Sequence, residues 1–523
     1  MKNQHFNFLL ILNFCVCILF FACENKAPAT PKDLLKENLI PKPVSVNATG
    51  SSFAITSATE IFVNGNEELK RVGEILANEL KPATGFDFPI KNTKEVPAAG
   101  NFYFSITKNE KLGDEGYQLN ITEDLVHLEA NAAAGIYRGI QTIKQLLPAS
   151  IAKGTAQSGP WEIASGTITD YPNYEYRGAM LDVSRHFFGV KDVKTYIDYI
   201  ASYKMNVLHL HLTDDQGWRI EIKKWPNLTD MGGTTEVGGT KGGFFTQEDY
   251  KAIVKYAMDR HIMVVPEIDM PGHTNAALAS YAKLNCDGNA RDLYTGTEVG
   301  FSTLCTRREL TYEFIDDVIM ELVAMTPGPY IHIGGDESHQ TREDDYIYFI
   351  NRVQEIVAKH GKQLMGWDDV VAGKLQPNAV AQHWAKEENA KTAVEKNMKI
   401  VMSPAKKAYL DMQYDSTSAL GLHWAGYIEI DTGYDWDPAT YIKGVGKENI
   451  LGIECPLWTE TVTNMEELEY MVFPRLLGYA EIGWSPDSNR SWDEYKIRLG
   501  KQKTRFEAMD LNYYASKLVP WSE

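Results

Sequence analysis

The chain has 523 residues, too many for one compact core of average size, so two domains are expected, one of them large. Hydrophobic residues at 44% and charged residues at 23% are the balance of a folded soluble protein. A formal charge of -18 argues against nucleic acid or anionic headgroups as partners, because neutralising phosphate takes clustered Lys and Arg.

Residues 1–22 read as a signal peptide: Lys2 is a basic start, 6–21 is an apolar run broken by Asn7 and Asn13, and Ala22 is a small residue before a cut. Leu19-Phe20-Phe21-Ala22-Cys23 resembles a bacterial lipoprotein signal, with Phe20 where Leu is usual, which would put a membrane-anchoring lipid on Cys23. The alternative is a short transmembrane anchor, near the lower length limit for a span. Residues 23–36, rich in Ala, Pro, Lys and Glu, form a tether.

Residues 37–170 mix strand-like stretches at 60–63, 101–106, 117–121 and 125–129 with helical spacing at 67–79 and 132–147. This predicts a small α+β domain without a catalytic constellation. Over 171–523 the rhythm becomes strand then helix, many times. Strands are predicted at 176–182, 206–212, 262–267, 330–334, 363–367, 379–384, 399–403 and 450–458, with helices at 192–203, 247–260, 308–325, 343–360 and 465–480. Eight apolar strands alternating with helices are the pattern of a (β/α)8 TIM barrel. A doubly wound sheet is the other candidate, but no Gly-rich phosphate turn follows the first strand. The long intervals 213–246, 271–306 and 409–448 predict loops at the barrel mouth, and 492–511 a last helix.

The predicted strand ends carry the chemistry. Pro329-Tyr330-Ile331-His332-Ile333-Gly334-Gly335-Asp336-Glu337 is an apolar strand running through two glycines into two acids. Other ends read Asp182 to His186, His209 to Trp218, Pro266 to His273, Trp367-Asp368-Asp369, His383-Trp384 and Trp458-Thr459-Glu460. A mouth ringed by acids and indoles suits a sugar, whose C–H faces stack on aromatic rings while its hydroxyls need polar partners.

Several of these motifs, in order, resemble the glycoside hydrolase family 20 β-N-acetylhexosaminidases: Ile40-Pro41-Lys42-Pro43, Asp182-Val183-Ser184-Arg185-His186, His211 to Arg219, Pro266 to His273, His332 to Glu337, and Trp458-Thr459-Glu460. The resemblance runs from about residue 37 to the C-terminus. It implies an exo-acting, retaining enzyme that uses the substrate's own 2-acetamido oxygen as nucleophile, through an oxazolinium intermediate, on an N-acetylhexosamine-terminated oligosaccharide or glycoconjugate. In that case Glu337 is the general acid and then base, protonated at the start. Asp336 holds the acetamido N–H, and Tyr409 donates to the acetamido oxygen. Arg185 and Glu460 bind the hydroxyls, Trp367, Trp384, Trp458 and Trp424 wall the pocket, Asp214 and His273 orient the acid, and Asp411 sits beside Tyr409. The family also bridges two cysteines in the loop after the third strand, where Cys286 and Cys305 stand; Cys455 reads as a buried free thiol. No cofactor or metal is implied.

Other readings of the same residues stay open. Arg185 is also what a surface ion pair looks like, and Asp215 rather than Asp214 could face the site. His209 and His211 share a strand face, a spacing used for zinc, but the later strand ends offer Trp instead of further ligands. A two-carboxylate glycosidase would need Glu267 or Glu460 as nucleophile. A lacto-N-biosidase of the same family, or a glycan-binding lipoprotein without activity, would use the same fold.

Overall fold

The computed structural model describes residues 29–522, so the signal peptide and Cys23 lie outside the described residues. Seven strands form the first sheet: β1 (Ser45–Ala54), β2 (Ile61–Asn64), β3 (Ile90–Asn92), β4 (Asn101–Ile106), β5 (Tyr117–Ile121), β6 (Leu125–Ala130) and β7 (Glu162–Asp170). Their order is β1-β7-β5-β6-β4-β2-β3. Helix Glu67–Thr84 buries Leu69, Val72, Leu76 and Leu80 on one face, as its helical spacing requires, and Asn66 caps it by accepting from the Leu69 N–H. It continues past the predicted end at 79 to Gly85, whose positive φ closes it. Strands β1, β3 and β7 lack strong apolar alternation in the sequence and were not expected. Most of them is held by pairing, β1 antiparallel to β7 and β3 parallel to β2.

The remaining strands, β8 (Tyr176–Asp182), β9 (Val207–His211), β10 (Met263–Glu267), β11 (Tyr330–His332), β12 (Gln363–Trp367), β13 (Val380–His383), β14 (Lys399–Met402) and β15 (Ile450–Leu457), form a closed, all-parallel barrel. Closure is made by β15 against β8, from Gly452 opposite Tyr176 to Leu457 opposite Leu181. All eight predicted barrel strands are present, and every C-terminal end points to one mouth, as parallel strands must.

Two predicted helices are each two. The stretch 465–480 divides into Met465–Val472 and Arg475–Trp484, because Pro474 lacks an N–H and forces Phe473 out of the helical region, to φ -100° and ψ 135°. The last stretch divides into Trp492–Gly500 and Lys503–Ala508. Among the described residues no helix is long and apolar enough to cross a membrane.

The small domain is tied to the barrel by buried charge. Glu115 accepts from Arg138 at 2.8 Å and from Arg177, at the start of β8, at 2.6 Å. Asp170, at the end of β7, accepts from Tyr117, Lys204 and Trp484.

Candidate active site

Beyond β11 the chain turns sharply to deliver Asp336 and Glu337. Gly334 and Gly335 adopt φ 65° and 102°. A side chain on Gly334 would meet the Asp269 carboxylate at 1.8 Å, and one on Gly335 would meet Val370 at 2.6 Å, so only glycine fits at either place. Glu337 itself has φ 45° and His273 has φ 53°, left-handed conformations that ordinary side chains rarely adopt. Strain at these two residues is maintained by the surrounding packing, and it aims both side chains at one cavity.

That cavity holds ≈ 190 Å³ and is lined by Arg185, Asp269, His273, Thr297, Val299, Asp336, Glu337, Trp384, Tyr409, Asp411, Leu422, Trp424, Trp458 and Glu460. A larger hollow of ≈ 880 Å³ lies at the other end of the barrel, between β8 and the small domain. None of the paired acids or pocket tryptophans lines it, so the smaller cavity is the chemical one.

His273 stands between the acids and a second layer of charge. Its Nε2 is 3.6 Å from Glu337 Oε2 and 3.8 Å from Asp336 Oδ2, while Nδ1 donates to Asp214 Oδ1 at 3.1 Å. Burial resists charge on this ring, but Asp214 and Asp269 outweigh it and hold the pKa well above the usual histidine range. Asp214 is drawn well below the usual carboxylate range, since Arg185 and His273 more than offset its burial. Arg185 reaches Asp214 at 2.8 Å and Asp182 at 3.3 Å, and its guanidinium lies 4.7 Å from the Trp458 ring. This is no surface ion pair. Asp215 takes a different part, accepting from Ser302 and the Asn275 N–H, and so anchors the loop after β10.

The two acids are held in opposite ways. Burial pushes Asp336 up to about 7, whereas for Glu337 the His273 cation and Arg185 outweigh burial and pull the pKa down. These directions run against the expectation that Glu337 carries the proton at the start: of the two, Asp336 more readily keeps one. The cause is burial: His273 approaches both acids to a similar distance, but Asp336 is the more deeply enclosed.

Asp411 and Glu460 face the cavity with oxygens that have no hydrogen-bond partner, and burial raises both pKa values. Buried acceptors of this kind are stabilised when hydroxyl groups reach them. Tyr409 is nearly fully buried, its hydroxyl pushed well above 10 by burial and then by Asp336.

The tryptophans do not all wall the pocket as expected. Trp458 and Trp384 line it. Trp367 is 1% exposed and lies behind Trp458, ring centres 5.7 Å apart, donating to Glu267 at 2.9 Å, so it backs the wall instead of forming it. Trp424 is 57% exposed and stands at the rim, edge-on to Trp384 and Tyr409. Asp214 sits behind the lining, against His273.

Residues that the strand-end reading left unassigned are Asp269, Thr297, Val299 and Leu422. Asp269 stands two residues past β10 in a run already noted, and it fixes the turn by accepting from the Gly335 N–H at 3.1 Å. The other three lie on long loops and carry no local signal. Cys286 and Cys305 are bridged, with Cα atoms 4.8 Å apart, closing the loop that contributes Thr297 and Val299; Cys455 is a buried free thiol. His209 and His211 point into the barrel, where Glu454, Glu267 and Asp214 engage them.

Comparison with known proteins gives two family matches. The profile described as glycosyl hydrolase family 20, catalytic domain, matches residues 174–487, and that described as glycosyl hydrolase family 20, domain 2, matches residues 36–171. The chain is 39% identical over 487 residues to a beta-N-acetylhexosaminidase of Cellulomonas fimi, covering 92% of this chain and 97% of that protein. It is similar in structure to the family 20 beta-N-acetylhexosaminidase of Streptomyces coelicolor A3(2), with TM-score 0.91, 50% identity, and coverage of 94% of this chain and 100% of the other. A mutant Streptomyces plicatus beta-hexosaminidase in complex with its product GlcNAc matches equally, with TM-score 0.91, 50% identity and coverage of 95% and 100%.

Proposed function

The chain belongs to glycosyl hydrolase family 20, and from that premise we propose that it is an exo-acting β-N-acetylhexosaminidase removing terminal β-linked GlcNAc or GalNAc with retention by substrate-assisted catalysis. The observation that carries the reading is the pair Asp336 and Glu337, adjacent in the chain and both turned into one small cavity.

A protein nucleophile has no good candidate here. Glu267 is fully buried and bound by histidines and Trp367, out of reach of any sugar. Glu460 faces the cavity, but its raised pKa makes it a poor nucleophile and a good hydroxyl partner. The acetamido oxygen then takes the role. Asp336, as carboxylate, accepts the acetamido N–H and offsets charge on the oxazolinium ring, while Tyr409 donates to the attacking oxygen. The resting proton is consistent with this: an N–H donated to Asp336 favours its ionised form, and an aglycone oxygen laid against Glu337 favours the protonated acid. Sugar binding thus moves the acidic proton to where it is needed.

Arg185, with Asp411 and Glu460, would hold the ring hydroxyls, and the ≈ 190 Å³ cavity supports release of one sugar rather than a disaccharide. The hydrolysis of an aryl β-GlcNAc by the full chain, beside the matching aryl β-glucoside, tests the mechanism. Cleavage of the first alone is expected; comparable cleavage of both would exclude acetamido participation. Export and attachment through a lipid on Cys23 belong to the same reading, supported by Lys2 and the apolar run of 6–21. Mass spectrometry of the mature N-terminus tests it, a diacylated or triacylated Cys23 being the expected result.

A further inference from the structure

A ladder of buried ionisable groups descends from the catalytic pocket through the barrel interior, and the mechanism above uses only its top. His273 donates to Asp214 Oδ1 at 3.1 Å. Asp214 Oδ2 accepts from His211 Nε2 at 2.9 Å, and His211 Nδ1 donates to Glu267 Oε2 at 2.7 Å. The same Glu267 oxygen lies 3.0 Å from Nε2 of His209, whose Nδ1 donates to Glu454 at 2.8 Å, and Tyr176 donates to the other Glu454 oxygen at 2.6 Å. All of these groups are buried.

Filling the same space with apolar side chains would spare the desolvation of so many charges, so stability alone is a weak reason for the ladder. Its geometry gives a better one. Glu267 is, among the described residues, the one carboxylate that meets both His211 and His209, and its second oxygen is held by Trp367 at 2.9 Å and faces His332 Nδ1 at 3.0 Å. His211 makes two contacts to carboxylates, one at each nitrogen, which only a ring protonated at both can donate into.

We propose that Glu267 is a positioning residue for the reaction: it keeps His211 a two-donor imidazolium from below, His211 fixes the Asp214 carboxylate, and Asp214 orients His273 against Glu337. The proposal rests on the reading of Glu337 as the acid. The titratable groups around Glu267 are His209 and His211 from β9, His332 from β11 with Asp336 beyond its end, Asp269 two residues past the end of β10, and Glu454 from β15 through His209; β12 offers only the neutral Trp367. Around His211 stand Glu267, Asp214 and, from β8, Asp182. The directions agree, since His211 is raised well above the usual range once these carboxylates outweigh its burial.

The test is E267Q, which keeps the shape but removes the charge and one of the two acceptor oxygens that meet Trp367 and His211. Loss of a carboxylate partner lowers the His211 pKa, so the ring gives up its proton at lower pH than in the native chain. The expected result is a kcat reduced roughly tenfold to a hundredfold, with KM for an aryl β-GlcNAc within about threefold, as for loss of an outer partner of a reacting group. In addition the alkaline limb of kcat moves to lower pH by about one unit or more. A fall in kcat with an unchanged pH profile would mean that Glu267 only packs, and would overturn the proposal. The second measurement needs no variant: nitrogen-15 histidine spectra of the native full chain should show His211 still protonated at both nitrogens at a pH where an ordinary histidine has lost its proton, and a neutral His211 there would overturn the proposal even if E267Q fails to fold. Failure of the wild-type chain to cleave the aryl β-GlcNAc would instead count against the assignment of Glu337, while the spectra still decide the charge of His211.

Discussion

Nε2 of His273 lies 3.6 Å from Oε2 of Glu337, close enough for its charge to pull the acid's pKa down but outside hydrogen-bond length. The same nitrogen is 3.8 Å from Asp336. His273→Gln removes a cation that favours the ionised form of both acids. Both pKa values should therefore rise, and the two limbs of the kcat/KM profile should move to higher pH together. The pH dependence of aryl β-GlcNAc hydrolysis checks this; movement of one limb alone would show that His273 acts on a single acid.

Glu337→Gln should lose about two to four orders of magnitude in kcat on a natural disaccharide, the usual contribution of a positioned general acid. On an aryl glycoside with a strongly acidic phenol the loss should be much smaller for the glycosylation step, because that leaving group departs without a proton. Burst kinetics with the two substrates separate the steps. Equal losses on both would argue against proton donation by this residue.

Asp336→Asn should leave the fold intact and lower kcat about a hundredfold or more, the scale on which preorganised electrostatic stabilisation is lost. Since its role is tied to the cyclised sugar, a thiazoline analogue of the oxazolinium should lose affinity in parallel. Isothermal titration of that analogue against both proteins measures it.

Glu115 is predicted to hold the two domains together. Arg177 and Arg138 outweigh its burial and lower its pKa from 4.5 to about 2. A depressed carboxylate pKa contributes stability that is present above the unfolded value and lost as pH falls through the folded one. Between about pH 4.5 and pH 2 the chain should lose up to ~3 kcal/mol from this group. Glu115→Ala should destabilise by about 3 to 5 kcal/mol by leaving Arg138 and Arg177 buried without their carboxylate. Denaturant unfolding at pH 7 checks the magnitude, and the acid titration of Tm should flatten in the variant.

The disulfide Cys286–Cys305 closes a loop that supplies Thr297 and Val299 to the cavity. Replacing both cysteines with serine should lower stability by about 3 kcal/mol, the chain-entropy value for a loop of this size. It should also raise KM more than it lowers kcat, because the loop shapes the pocket while the acids sit on the turn that follows β11. Kinetics of the double variant separate the two effects.

The barrel was legible from local pattern because a parallel strand buried on both faces must be an apolar run, and a covering helix must be apolar on one side. The pair Asp336 and Glu337 was legible for the same reason, being polar residues at the end of such a run behind two glycines. Strands β1, β3 and β7 were not, since their short or small side chains are strand only by virtue of the strand beside them. The helix break at Pro474 carried a local signal in the proline itself, which the apolar periodicity of 465–480 outweighed. Which Trp lines the pocket, in which direction each acid's pKa moves, and which carboxylate meets His211 were decided by the tertiary structure alone. Sequence determines which groups stand at the strand ends; exposure and electrostatic balance arise only when eight such ends converge, since each depends on distances between residues far apart in the chain.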